Sequence, residues 1–228
     1  KINVSCYLND LDAGNYGRLK QKIEPYKKFV KCIENKDANS VYSEFLQEIP
    51  AIERSIWFLD PFRHTDLDFR TIEAISKHTA QMQGYVRRPE LIINLMTYGM
   101  QLNMHDKRDE EKINKALGLT DSKLWKDRMG KEEKAYEVFL DVFLQQLEKL
   151  GYRCTCFSIE QTRPSKSHIY YLIFASSVPR AQEIIEKNFK PFIDRVMKDK
   201  WVKETYSFRL INKARKGGNT LISDFLEK

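Results

Sequence analysis

An apolar run, Ser55 to Leu59, ends abruptly at Asp60-Pro61-Phe62, and this feature restricts the fold more than any other in the chain. Continuous apolar residues bounded by turn residues favour a short buried strand. A strand that stops at Asp-Pro-aromatic places a carboxylate and a ring at its carboxyl end, and ligands of open α/β sheets bind along that edge. Asp-Pro also begins ordinary turns, so the tripeptide has a purely structural interpretation as well.

Strand-like and helix-like patterns alternate before and after this run. Leu91-Ile92-Ile93-Asn94-Leu95 is almost continuously apolar, as expected for a strand covered on both faces of a sheet. A helical pattern is predicted from Phe69 to Gln81. Alternation of this kind predicts βα units with parallel strands. The strands that we expect to be parallel lie near residues 4–9, 29–34, 55–59 and 91–95.

The carboxyl-terminal part of the chain follows a different pattern. From about Tyr98 to Leu150 it is charged and mostly helical, and we interpret residues 98–132 as an insertion. Strands are then predicted near residues 152–159 and 169–176, joined by a connection too short for a crossover helix. This pair should therefore be antiparallel. The fold class is α/β, with a mostly parallel sheet and a carboxyl-terminal antiparallel hairpin, in one domain over residues 1–228.

The net charge and the amino-acid composition indicate which kinds of partner the protein can have. A net charge of +7 and a pI near 9.1 fit an anionic partner such as nucleic acid, although the same charges also simply solvate a surface. No stretch approaches the ~20 apolar residues of a membrane span, so we expect no membrane partner. The four cysteines and four histidines lack metal-site or triad spacing, which predicts reduced thiols in a cytoplasmic protein and no metal.

Acidic residues follow three of the predicted strands. Asp10 and Asp12 follow the first strand, where a Rossmann-like site needs a carboxylate for ribose hydroxyls. Asp37, next to Ala38, follows the second strand, where a carboxylate suits the exocyclic amine of adenine. Asp60 follows the third strand. Each residue alone is also a common turn residue or helix cap, but their order along successive strands favours a cofactor site.

The chain resembles a known family, the three-Cys-motif partner proteins, which are similar to class I methyltransferases. Tyr170-Tyr171-Leu172-Ile173-Phe174-Ala175-Ser176 is the most distinctive matching segment, and Arg63 stands where the family usually has Gly after Asp-Pro-aromatic. The other matching segments are Tyr7 to Asp12, Asn15-Tyr16, Leu19, Trp57 to Phe62, Leu91 to Leu95 and the helix from Ala181 to Asn188. The resemblance implies a Rossmann-like sheet, a cytoplasmic prokaryotic protein and a separate three-Cys-motif protein as partner.

The methyltransferase interpretation assigns roles to these residues. Asp10 or Asp12 would bind the ribose of S-adenosylmethionine, and Asp37 with Ala38 its adenine. Asp60, Pro61 and Phe62 would position a nitrogen, of nucleic acid or of a partner-delivered substrate, for methyl transfer. The alternative is a non-catalytic, methyltransferase-like binding module that acts with its three-Cys-motif partner. A class I enzyme also has a first strand with a Gly-rich loop, and we expect both to precede Lys1.

Overall fold

The structure is a computed structural model that describes residues 4–82, 84–129, 134–161, 167–196, 198, 206–213 and 221–222. The chain divides into two compact units, Lys1–Glu53 and Arg54–Lys228, and each is described by itself. The single domain over residues 1–228 stays a prediction.

The first unit contains a pair of parallel strands and two α-helices. Its elements are β1 (Cys6–Asn9), α1 (Ala13–Lys22), a 3₁₀-helix (Glu24–Phe29), β2 (Val30–Glu34) and α2 (Ala38–Glu48). The pairing of β1 with β2 confirms that these two predicted strands are parallel.

Helix α2 packs on the strand pair through one apolar face. Val41 and Phe45 lie four residues apart, so they share a face of the helix, and both are buried. The ring of Phe45 contacts that of Tyr7 on β1, with centroids 5.4 Å apart. This contact holds the carboxyl-terminal half of α2 against β1.

The second unit is built on a six-stranded sheet. In spatial order its strands are β10 (Leu221–Ile222), β9 (Tyr206–Lys213), β7 (Arg153–Gln161), β8 (Ser167–Ser176), β6 (Glu90–Leu95) and β3 (Ile56–Leu59). A separate antiparallel hairpin consists of β4 (Ala80–Met82) and β5 (Tyr85–Arg87). The helices are α3 (Phe69–Ser76), α4 (Thr97–Asn103), α5 (Lys107–Leu117), α6 (Lys123–Met129), α7 (Ala135–Lys149) and α8 (Pro179–Val196).

The directions of the strands agree in part with the prediction. β3 and β6 are parallel neighbours, with Leu59 opposite Ile93, and β7 and β8 form the expected antiparallel hairpin. Because β8 lies between β6 and β7 and is antiparallel to both, β7 runs in the same direction as β6. The sheet is therefore mixed rather than mostly parallel: among the described pairs within it, β3–β6 alone is parallel.

One predicted helix is shorter than expected. The pattern from Phe69 to Gln81 predicted a single helix, but α3 ends at Ser76 and Ala80–Met82 forms a strand. Gly84, whose φ is +82°, allows the chain to reverse and pair this strand with Tyr85–Arg87. The turn therefore overrides the weak helical preference of the residues before it.

The core of the second unit extends over both faces of the sheet. Leu91, Ile93 and Leu95 of β6 are buried on one face, and Phe157 and Ile159 of β7 are buried on the other. The apolar stripe of α7 is buried as well, and it meets α3 and α6 through edge-to-face ring contacts of Phe143 with Phe69 and of Phe139 with Trp125. Within the described ranges, no helix combines the length and the apolar character needed to cross a bilayer.

Candidate functional site

Asp60 lies where β3 ends, beside the carboxyl end of its parallel neighbour β6. The register that pairs Leu59 with Ile93 brings the next two residues, Asp60 and Asn94, side by side. The Asn94 side-chain amide donates from Nδ2 to Oδ1 of Asp60 at 2.6 Å. Asp60 is exposed, so its carboxylate can accept from a further donor.

Asn94 was not among the residues proposed from the sequence. The available signal was a single polar residue inside the apolar run of β6, and a polar residue in such a strand needs a hydrogen-bond partner. The partner is visible only once the strand register is known. The pair therefore adds a residue to the site at Asp60.

Phe62 is the most exposed ring of this edge. Its side chain is 87% exposed, two residues beyond Asp60. Pro61, between them, fixes φ and has no backbone N–H, so its free polar group is a carbonyl acceptor. A carboxylate, a carbonyl and an exposed ring in sequence can accept the hydrogens of an amine and stack on the plane that carries it.

The loop after Phe62 is closed by a short ion pair. Arg63 donates from its backbone N–H to Asp66 Oδ2 at 3.0 Å, and its Nε lies 3.1 Å from Asp66 Oδ1. The backbone N–H of Asp66 returns a bond to the carbonyl of Arg63 at 3.0 Å. These contacts make a tight turn that directs His64 toward α4.

His64 is partly buried against Gly99 of α4. A Cβ added to Gly99 would lie 2.7 Å from Nδ1 of His64, so the absence of a side chain there makes room for the imidazole. Burial lowers the pKa of His64 from 6.5 because it disfavours the charged ring. Asp109 and Asp66 oppose this shift, and Lys112 and Arg63 reinforce it.

A small cavity joins these residues, with room for about one water molecule. Two of the residues that line it, His64 and Asn94, each have a buried polar atom, Nε2 and Oδ1, without a hydrogen-bond partner among the described residues. The residues that line it include Pro61, His64, Asn94, Met96, Met100 and Phe143.

The predicted cofactor residues lie in the first unit, and their side chains bond to nearby backbone. Asp12 caps α1 by accepting from the N–H of Asn15 at 2.7 Å, and Asp37 caps α2 by accepting from that of Asn39 at 2.9 Å. Asp10 accepts from the N–H of Asp12 at 2.9 Å. These contacts give each carboxylate a structural role, and their predicted roles toward ribose and adenine stay predictions.

The first unit nevertheless brings these residues to one edge. Asn9, the last residue of β1, and Lys36, which follows β2, exchange two hydrogen bonds of 2.9 and 3.1 Å. Asn35 also donates to the carbonyls of Asp10 and Leu11, at 2.6 and 2.9 Å. Asp10, Asp12, Asp37 and Ala38, the first residue of α2, thus follow the carboxyl ends of parallel neighbours. Asp60 belongs to the second unit.

Comparisons with known proteins inform the fold. No family model matches the chain. No curated protein matches it either. Its structure is similar to the crystal structure of protein LPL1258 from Legionella pneumophila str. Philadelphia 1, of the family model DUF519, with a TM-score of 0.50 and 12% sequence identity over 90% of this chain. The chain spans 60% of the length of that protein. At this identity the likeness concerns the fold alone.

Proposed function

We propose that this protein is an S-adenosylmethionine-dependent methyltransferase that acts on a nitrogen, in nucleic acid or in a partner-delivered substrate. Asp60, Pro61 and Phe62 position that nitrogen, and the chemistry needs little more than alignment of the acceptor with the methyl group. The protein works in the cytoplasm, together with a three-Cys-motif protein as its partner.

The observation that carries the proposal is the hydrogen bond from Asn94 to Asp60. It fixes an exposed carboxylate at the carboxyl end of a parallel strand, which is the edge where α/β sheets bind ligands. The adjacent Phe62 offers a ring with little other contact, and base–aromatic stacking contributes ~1–3 kcal/mol per base. A planar amine such as a nucleobase satisfies both features.

The arrangement of strands supports the same proposal. The parallel pair β3–β6 followed by the antiparallel hairpin β7–β8 is the ending that the resemblance to class I methyltransferases implies. Among the described strands of this sheet β3 lies at the edge, and its residues Ile56 and Phe58 are 67% and 63% exposed. Because natural sheets protect such edges, we propose that another element covers this edge.

The exposed face of β3 also favours the second candidate, a non-catalytic binding module. Two large apolar side chains on an edge strand are typical of a surface that another chain covers. In that case the three-Cys-motif protein would contact β3, and the protein would bind its partner without transferring a methyl group.

Titration of the full-length protein with S-adenosylmethionine in a calorimeter separates these candidates. The methyltransferase proposal predicts saturable binding, and it predicts incorporation of labelled methyl groups into single-stranded RNA, single-stranded DNA or the partner. Asp60→Ala should slow incorporation and leave cofactor affinity unchanged. Binding without incorporation into any acceptor supports the binding module, and no binding rejects the methyltransferase.

Asp37→Ala tests the cofactor residues, with a matched control in the second unit. Loss of a buried hydrogen bond to adenine should weaken affinity by ~1–3 kcal/mol. Asp68 caps α3 through the same contact that Asp37 makes at α2, an N–H two residues later at 2.9 Å. Both Asp→Ala changes should therefore cost the ~0.5–2 kcal/mol of stability of a lost cap, but only Asp37→Ala should weaken cofactor binding. Equal affinity in the two variants would remove Asp37 from the site.

A further inference from the structure

The hydrogen bond to Asp60 fixes the orientation of the side-chain amide of Asn94. A carboxylate at 2.6 Å accepts hydrogen bonds and cannot donate one, so the amide must turn its Nδ2 toward Asp60. Its Oδ1 then points elsewhere, into buried surroundings where no described residue donates to it. A buried acceptor without a donor is unfavourable, which makes this oxygen a place where a further hydrogen-bonding group is needed.

His64, which lines the same cavity, also has a buried polar atom without a described partner. Its ring is seated on Gly99, and its Nε2 is buried without a described partner. A neutral imidazole carries one donor and one acceptor nitrogen, so Nε2 can serve in either role. Both unpaired atoms belong to residues that line one cavity with room for about one water molecule.

We propose that Asn94 and His64 are positioning residues that hold the Asp60-Pro61-Phe62 segment at two points, with one shared water between Asn94 Oδ1 and His64 Nε2. Asn94 belongs to the sheet and holds the carboxylate at the start of the segment. His64 belongs to the loop itself and holds the end of the segment to α4. The segment between the two contacts is short, so its backbone and the direction of Phe62 are fixed. This role in positioning an acceptor rests on the proposed function, whereas the two-point attachment does not.

The test is hydrogen–deuterium exchange, measured by mass spectrometry on the peptide that covers residues 60–68. Gly99→Ala pushes the imidazole out of its seat, and His64→Ala and Asn94→Leu remove the two contacts. Each variant should raise exchange in this peptide by about tenfold or more, with no change in α7. If the wild-type protein transfers methyl groups, the Asn94→Leu variant should have a lower kcat than wild type and the same affinity for S-adenosylmethionine.

Gly17→Ala is the matched control for Gly99→Ala. Both glycines lie inside helices, but a Cβ at Gly17 would meet nothing within 4 Å. Gly17→Ala should therefore leave exchange in residues 60–68 unchanged. The double variant Gly99→Ala/His64→Ala removes the clash, so it should recover thermal stability while the loop stays unprotected.

Two results would contradict the proposal that Asn94 and His64 hold the Asp60-Pro61-Phe62 segment. One is unchanged exchange of residues 60–68 in His64→Ala and Asn94→Leu, and the other is a rise that extends equally to α7, which would report unfolding of the whole unit. If exchange behaves as expected but calorimetry detects no S-adenosylmethionine binding, the attachment holds and the proposed function fails. The experiment therefore tests the attachment of the segment and the proposed function separately.

Discussion

Replacement of Asn114 by Leu is expected to destabilise the second unit through the indole of Trp125. Asn114 on α5 and Trp125 on α6 are 7% and 2% exposed. The Trp125 Nε1–H donates to Asn114 Oδ1 at 2.9 Å, and Asn114 Nδ2 donates to Ser122 Oγ at 3.2 Å. Ser122 in turn donates to Glu110. The network ties two helices of the charged segment to each other.

The magnitude follows from what each change leaves unpaired. Asn114→Leu leaves a buried indole N–H without an acceptor, at a cost of ~1–3 kcal/mol, and removes the bond to Ser122, at ~0.5–1.5 kcal/mol. We expect a total loss of about 2–4 kcal/mol in the free energy of unfolding. Trp125→Phe leaves the Asn114 oxygen unpaired and also creates a cavity.

The double variant Asn114→Leu/Trp125→Phe decides whether this reasoning holds. It removes both polar partners, so its loss should be smaller than the sum of the single losses by ~1–2 kcal/mol. Urea denaturation followed by far-ultraviolet circular dichroism measures all three, because the tryptophan change would disturb a fluorescence signal. Single losses that add to within ~0.5 kcal/mol would refute the idea that the unpaired indole dominates.

Three further outcomes are expected. Burial lowers the pKa of His64 below 6.5, so between the two values the unfolded chain binds more protons, and stability should fall as pH decreases through that window. His64→Phe should flatten this dependence in urea titrations across pH. Phe62→Ala should change the free energy of unfolding by less than ~0.5 kcal/mol, and a larger loss in a thermal melt would mean that the ring is packed. Complete burial raises the pKa of the Cys156 thiol, so mass spectrometry after alkylation of native protein should find Cys156 unmodified, and rapid labelling would contradict its burial.

Some elements could be predicted because local pattern alone determines them. The apolar runs of β3 and β6 have enough apolar residues to mark buried strands, and the spacing of Phe139 and Phe143 marks α7. The hairpin β7–β8 followed from a connection too short for a helix. β6 and α7 bury the residues that identify them, whereas Ile56 and Phe58 of β3 are exposed, so the expectation that this run is a buried strand was wrong for those two residues.

Other elements depend on contacts that a local pattern does not contain. Ala80–Met82 becomes a strand only because Gly84 reverses the chain, and Tyr206–Lys213 becomes β9 only by pairing with the distant β7. The residues of the candidate site also differ in whether a local pattern is enough to find them. Asp60 could be located from the end of its own strand, but Asn94 required the register of β3 with β6, and His64 required the packing of its loop against Gly99.

The exposed face of β3 connects the fold to the proposed function. The inward side chains of this strand, Trp57 and Leu59, face the core, whereas Ile56 and Phe58 remain well exposed on the opposite face. Alternation of this kind normally places polar residues outside, so two large apolar side chains there indicate a face that is covered in the working protein. A strand paired at this edge would lie in the plane of the sheet, so covering Ile56 and Phe58 takes an element that packs on the face itself.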